Sequence, residues 1–197
     1  MEELNKQLEF IIELDQLKGV YRQALVKSDG NRFENSAEHS WQITLAAQVL
    51  QEHTVKKINI SRVISMLLIH DIVEIDAGDM FAFSNSEAHA EQEDKEISAA
   101  KRIFGLLPER QFLNYEQLWL EFENAETNDA KFAKAVDRIL PLLQNMKNNG
   151  GSWARHKVKR SQVLERNKYL ESLAPRLWLY ACKQIEHAVK QGWLIDA

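Results

Sequence analysis

The chain has 197 residues, 25 Lys plus Arg against 29 Asp plus Glu, six His and a single Cys, for a formal charge of −4. That length predicts one domain, long enough to bury roughly 70% of the surface its unfolded form would expose. The 45% hydrophobic and 27% charged content excludes a disordered or fibrous chain, and the single Cys excludes an internal disulfide. The acidic balance argues against a nucleic-acid polymer as partner, because such affinity comes from Lys and Arg neutralising phosphates. The start Met1-Glu2-Glu3-Leu4-Asn5-Lys6 lacks a secretory pattern, and the most apolar segment, 63–69, is far below the roughly 20 residues of a membrane span. These features predict a cytoplasmic protein without membrane contact and with a reduced thiol at Cys182.

Apolar residues recur at helical spacing almost throughout, which predicts an all-α fold. Leu4, Leu8, Ile11 and Ile12 mark a first helix stopping near Gly19 through a left-handed cap. Ser28-Asp29-Gly30-Asn31 reads as a loop. Asn35-x-x-Glu38 resembles a capping box, with Ser36 the competing cap, and opens a helix through Ile43, Ala46, Ala47 and Leu50. Asn59 or Ser61 caps the next helix, apolar almost all round from 63 to 73 and therefore expected at the domain centre. Further helices are expected over 87–104, 108–123 and 127–147, the last kinked at Pro141. Asn148-Asn149-Gly150-Gly151 breaks the chain, and helices follow over 157–172 and 175–191. No repeat or linker divides it, so 1–197 reads as one domain, with a motif core about 17–153 and the C-terminal helices packed on it.

The chemically anomalous residues lie on the most apolar helix, where Leu67-Leu68-Ile69 runs into His70-Asp71, then Glu74, Asp76 and Asp79. Burying ionisable groups is costly without compensating charge, and a metal ion would supply it. On a helix, Glu74 shares a surface with His70 at i+4 and Asp71 at i+3. Other ligands must come from other helices. His39 lies in the first turn after Ser36, and Asp137 is an acid in the apolar stretch Ala133 to Leu140. Two imidazoles and two carboxylates, His39, His70, Asp71 and Asp137, suit a borderline or hard divalent ion with water completing the sphere.

Three ordered motifs, Asn35-Ser36-Ala37-Glu38-His39-Ser40-Trp41, His70-Asp71-Ile72-Val73-Glu74-Ile75-Asp76-Ala77-Gly78-Asp79 and Ala135-Val136-Asp137, resemble those of the HD-domain metal-dependent phosphohydrolases. The branch they resemble includes the 5′-deoxynucleotidases, and the likeness runs from about 17 to 153. The resemblance implies a single HD-type helical domain in which His39, His70, Asp71 and Asp137 hold one divalent metal ion: Mn2+, Co2+, Mg2+ or Zn2+. Only His89 lies between the His-Asp pair and Asp137, which favours one metal per site over two. It implies Glu74 and Asp79 as catalytic acids and Arg22 as a holder of the substrate phosphate. Glu74 as an orienter of His70, Asp79 as a helix terminator and Arg22 in a surface salt bridge are the competing structural roles. The deoxynucleotidases place a Trp beside that Arg, whereas Gln23-Ala24-Leu25 follows here, so deoxyribose selection of that kind is not carried over.

The expected reaction is hydrolysis of a phosphomonoester by metal-activated water, with a small nucleotide, most simply a nucleoside 5′-monophosphate, as substrate. Another small phosphate ester, or a nucleotide sensor without turnover, are the alternatives. Family analogy implies a homodimer. The run Arg155-His156-Lys157-Val158-Lys159-Arg160 reads as a solvated helix face, the five Trp as core or subunit-contact residues, and Trp153 as the one candidate pocket lid.

Overall fold

The computed structural model describes residues 1–197. Helix α1 (Glu2–Glu13) passes into a 3₁₀ turn over Leu14–Gly19. Gly19 is outside the left-handed region, so the expected glycine cap is absent and the tighter turn ends the element instead.

A hairpin that the periodicity does not predict follows: β1 (Tyr21–Val26) pairs antiparallel with β2 (Arg32–Asn35), in register at Leu25 with Phe33 and Val26 with Arg32, and the expected loop at Ser28 to Asn31 is its turn. Gly30 and Asn31, with φ of 62° and 61°, are left-handed residues that turn the chain at the end of the connection over 27–31. An irregularity between Tyr21 and Leu25 interrupts the pairing, so the strand lacks a clean alternating pattern. The hairpin, with an isolated bridge between Lys159 and Ile195, departs from the all-α expectation, and it packs against the helices over Asn128–Lys147 and Gly151–His156.

Helix α2 (Ser36–Leu50) begins with both halves of the capping box: the Asn35 side chain accepts from the Glu38 N–H at 2.9 Å, and the Glu38 carboxylate accepts from the Asn35 N–H at 3.3 Å. With Asn35 as the cap, Ser36 is free for other work. Helix α3 (Ile60–Ile69) is capped by Asn59 and ends earlier than its apolar pattern suggests. His70 to Val73 form a turn before the short α4 (Glu74–Ala77), joined by i−3 hydrogen bonds from Ile72, Glu74, Ile75 and Asp76. The tightened backbone replaces the expected α-helical i, i+4 geometry and lets His70, Asp71 and Glu74 all face inward.

Helices α5 (Ser86–Phe104), α6 (Glu109–Asn124) and α7 (Asn128–Lys147) follow the periodic pattern. Helix α7 runs on through Pro141, and Thr127 caps its start. The expected break is a turn at 148–150, and a short α8 (Gly151–His156) follows it, with Gly150 at φ 92° and close against Trp193, where a Cβ would lie 2.7 Å from the Trp193 Cβ. The expected helix over 157–172 is two pieces, α9 (Arg160–Asn167) and α10 (Tyr169–Leu173), followed by α11 (Pro175–Lys190).

Helix α7 organises the interior because both its faces are apolar. Phe132, Ala133, Val136 and Leu140 join a cluster with α2, α3, α5 and α6. Ala135, Ile139 and Leu142 join a second cluster with α8 to α11. No helix is long and apolar enough to cross a membrane. A cavity of about 480 Å3 opens between the two clusters, with Asp137 in its wall.

Candidate metal centre

Four elements meet at one end of this cavity. The first turn of α2 supplies His39, fully buried. The turn after α3 supplies His70 and Asp71, α7 supplies Asp137, and β1 supplies Arg22. His39 Nε2 lies 3.0 Å from Asp137 Oδ1, and His70 Nε2 lies 3.7 Å from the same oxygen. Ligand atoms of His39, His70 and Asp137 all fall within 4.8 Å of one another. Asp71 borders this group, its Oδ1 2.9 Å from His70 Nε2 and its Oδ2 accepting from Arg22 Nη1 at 2.6 Å.

The donor set fits a divalent cation. His70 Nδ1 faces the Leu67 carbonyl at 2.9 Å, which keeps one ring proton there and turns Nε2 toward the carboxylates, where a cation would take the place of its second proton. That Nε2 is buried without a hydrogen-bond partner. Behind His39, its Nδ1 lies 3.4 Å from Glu34 Oε2, both atoms buried without a hydrogen-bond partner, which places a carboxylate next to the imidazole on the side away from Asp137. Glu34 is itself held by Gln144, whose amide donates to Oε1 at 2.6 Å.

Charge is concentrated here. Burial opposes the charged form of His70, but Asp71 and Asp137 outweigh it and push it up to about 10. Burial likewise works against Asp71 and Asp137. Even so, His70 and Arg22 hold Asp71 at about 2, and His39 and His70 hold Asp137 well below the carboxylate range. Burial and the Asp71 charge move Glu74 the other way, well above its ordinary value. Asp79 is raised to about 6, chiefly by burial, with Arg22 pulling against it.

The two candidate acids are held differently. Ser36 Oγ donates to Glu74 Oε2 at 2.6 Å. Asp79 follows Gly78, whose φ of 74° turns the chain, and the Gln92 amide on α5 pins that corner by donating to the Gly78 carbonyl at 2.8 Å. Arg22 Nη1 reaches Glu74 and Asp79 at 3.8 Å each, and its Nε lies 3.8 Å from Glu34. The guanidinium is thus largely buried among four acids, not on the surface. All seven residues singled out in the sequence converge in this region.

The HD-domain family matches residues 14–178. The chain belongs to the HD-domain family. Over 137 residues it is 31% identical to human 5′-deoxynucleotidase HDDC2, covering 70% of this chain and 65% of the human protein. Over 194 residues it is 24% identical to Schizosaccharomyces pombe 5′-deoxynucleotidase hdd1, covering 95% of this chain and 86% of that one. This HD-domain chain therefore spans just under two thirds of the human relative's length. A crystal structure of a predicted metal-dependent phosphohydrolase from Magnetospirillum magnetotacticum superposes with a TM-score of 0.92 at 44% identity, covering 98% of this chain and 96% of that one. A Listeria innocua HD-domain phosphohydrolase, at 20% identity and a TM-score of 0.59, shares the fold. The HD-domain fold implies a divalent cation, and His39, His70 and Asp137 are a donor group for one.

Sequence reasoning missed Glu34, Ser36 and Gln92, which brace the centre, and the farther cavity wall. There Glu96 on α5, beside Glu123 and Lys134, is raised to about 7, mostly by burial and then by the Glu123 charge. Trp153 is not a lid: it is 2% exposed, fixed in the second core cluster and part of the wall.

Proposed function

We propose that this HD-domain protein hydrolyses a phosphomonoester, a nucleoside 5′-monophosphate being the best-supported substrate, to nucleoside and inorganic phosphate. The observation that carries the reading is the buried His39, His70 and Asp137 donor group at the end of a cavity of about 480 Å3, within the roughly 300 to 1,000 Å3 of small-molecule sites. The curated relatives named 5′-deoxynucleotidase and the Magnetospirillum phosphohydrolase support it.

His39, His70, Asp71 and Asp137 would hold one divalent ion, drawn from Mn2+, Co2+, Mg2+ and Zn2+. When bound, it supplies neutralisation of phosphoryl oxygens and acidification of a water. Asp79 is assigned as proton acceptor: it makes no close hydrogen bond, and its raised carboxyl sits near the neutral range where exchange of a proton is most effective. Glu74, committed to Ser36, positions that corner and keeps the His70-Asp71 turn in place. Arg22, with its fork-shaped donor face, orients Asp71 and is a candidate contact for the phosphate. Gln23 and Ala24 line the cavity where the deoxynucleotidases carry a Trp, so sugar selection here needs its own measurement.

The homodimer and cytoplasmic location belong to this proposal too. The exposed stripe Trp41, Leu45 and Val49 along α2 supports the former, and sedimentation tests it.

Phosphate release from a panel of ribo- and deoxyribonucleoside 5′-monophosphates and sugar phosphates, with Mn2+, Co2+ and Mg2+ in turn, tests the function. Release from nucleotides, lost together with bound metal in Asp71→Ala, is the expected result. Release from sugar phosphates alone redirects the substrate assignment, and nucleotide binding without release under every metal replaces the enzyme with a sensor.

A further inference from the structure

Four strongly basic side chains line the cavity, and they fall into two kinds. Arg22 is ringed by Asp71, Glu74, Asp79 and Glu34 at 2.6 to 3.8 Å. Lys134 is paired with Glu123 at 2.7 Å. Arg138 on α7 and Arg166 on α9 line the same space, and neither has a carboxylate within the 4.0 Å of an ion pair.

These two residues are neighbours. Arg138 Nη1 donates to the Arg166 backbone carbonyl at 2.9 Å, and its guanidinium lies over the Tyr169 ring at 4.8 Å. Its Nε is buried with no partner. The Arg166 guanidinium makes no hydrogen bond of its own, and burial, followed by the Arg138 charge, brings its pKa down to about 10. Two partly buried like charges with donors left over are unfavourable by themselves, and an anion between them reverses the sign. The same pair also lines an adjoining surface pocket with Lys131, Lys168 and Tyr169, which gives an otherwise acidic protein a basic approach to the cavity.

We propose that Arg166, together with Arg138, forms an anion-binding element on the α7–α9 wall that holds the phosphate of the substrate as a contact additional to Arg22. Two positive charges match the dianion of a phosphomonoester, and a guanidinium offers paired N–H groups to two of its oxygens. The identity of the anion as a substrate phosphate rests on the function proposed above. The existence of the anion site does not.

Inorganic phosphate is the probe. Its affinity is measured by titration calorimetry on the chelator-treated full chain at fixed ionic strength, for the wild type, Arg166→Gln, Arg138→Gln and Arg166→Lys, with an unfolding curve for each variant. Arg166→Gln is expected to weaken phosphate binding by about tenfold or more, and Arg166→Lys, which keeps the charge but loses the fork, by less. If Arg166→Gln fails to fold, the ordering of wild type above Arg166→Lys and Arg138→Gln carries the test. No measurable phosphate binding by the wild type, or wild-type affinity in the folded Arg166 and Arg138 variants, overturns the proposal. Steady-state kinetics separate the two readings. Weakened phosphate binding in a protein that turns over no nucleotide leaves the anion site standing and removes the nucleotidase. Nucleotide turnover with an unchanged KM in Arg166→Gln does the opposite.

Discussion

Arg22 and the Arg138–Arg166 pair share one cavity under opposite electrostatic conditions. Around Arg22 the acids outnumber the bases, the ionisable groups shift one another, and each has a charged neighbour within 4 Å. On the α7–α9 wall the bases have no acid and keep unused donors. The difference separates charge that holds the protein together from charge held in reserve for a ligand. Removing the first exposes buried acids to one another, whereas removing the second relieves repulsion.

The largest expected effect comes from breaking the compensated side. Arg22→Met leaves Asp71, Glu74, Asp79 and Glu34 facing one another and should cost about 3 to 5 kcal/mol at neutral pH in urea unfolding. A loss below about 1 kcal/mol would mean that the acids do not depend on Arg22. Next comes Glu34→Gln, which withdraws the carboxylate behind His39. Metal affinity, read by competition with a chromophoric chelator, should fall roughly 10- to 100-fold, and an unchanged value would remove Glu34 from the centre.

A smaller effect lies at the far wall. Glu96 is raised from 4.5 to about 7, so the folded protein keeps a proton there that the unfolded chain has already released. Stability should therefore fall as pH rises from about 4.5 to 7 and stay lower above that. Glu96→Gln lacks this loss. Because Glu96 retains contact with solvent, the gap between variant and wild type at pH 8 should be on the order of 1 kcal/mol, and absent at pH 4. The smallest stability change belongs to the uncompensated side. In phosphate-free buffer, Arg166→Gln should unfold at the same denaturant concentration as the wild type or slightly higher, by at most about 1 kcal/mol. Added phosphate should then stabilise the wild type and not the variant. A large loss in phosphate-free buffer would show that Arg166 has a structural partner after all.

The candidate metal-centre residues are legible because ionisable groups in apolar helical stretches are conspicuous: His70 and Asp71 close an apolar run, and Asp137 interrupts another. Their helical i, i+4 relation was misread, since the tightened turn after Ile69 obeys hydrogen bonding that apolar periodicity does not register. The hairpin was hidden by its short, irregular first strand, yet it delivers both Arg22 and Glu34 to the centre. Ser36 looked like a rival cap for α2 until Asn35 took that position and left the hydroxyl for Glu74. Arg138 and Arg166 were invisible for a different reason. Their chemistry lies in lacking acidic partners across two helices, and a one-dimensional pattern carries no information about a partner's absence.

The capping box at the start of α2 also bears on how the chain tolerates change in length. Within the six residues from Glu34 to His39, Glu34 backs His39, Ser36 holds Glu74, and His39 meets Asp137, while Asn35 and Glu38 lock the strand-to-helix joint between them. One residue inserted into this stretch would rotate whatever follows by about 100° and break these contacts together. The turn at Ser28 to Asn31, exposed and a few residues upstream, makes no contact with the centre; its side-chain hydrogen bond is Asp29 Oδ2 accepting from Arg32 Nε. Length variation among variants of this chain belongs at the tip of the hairpin, and its base is intolerant of even a single added residue.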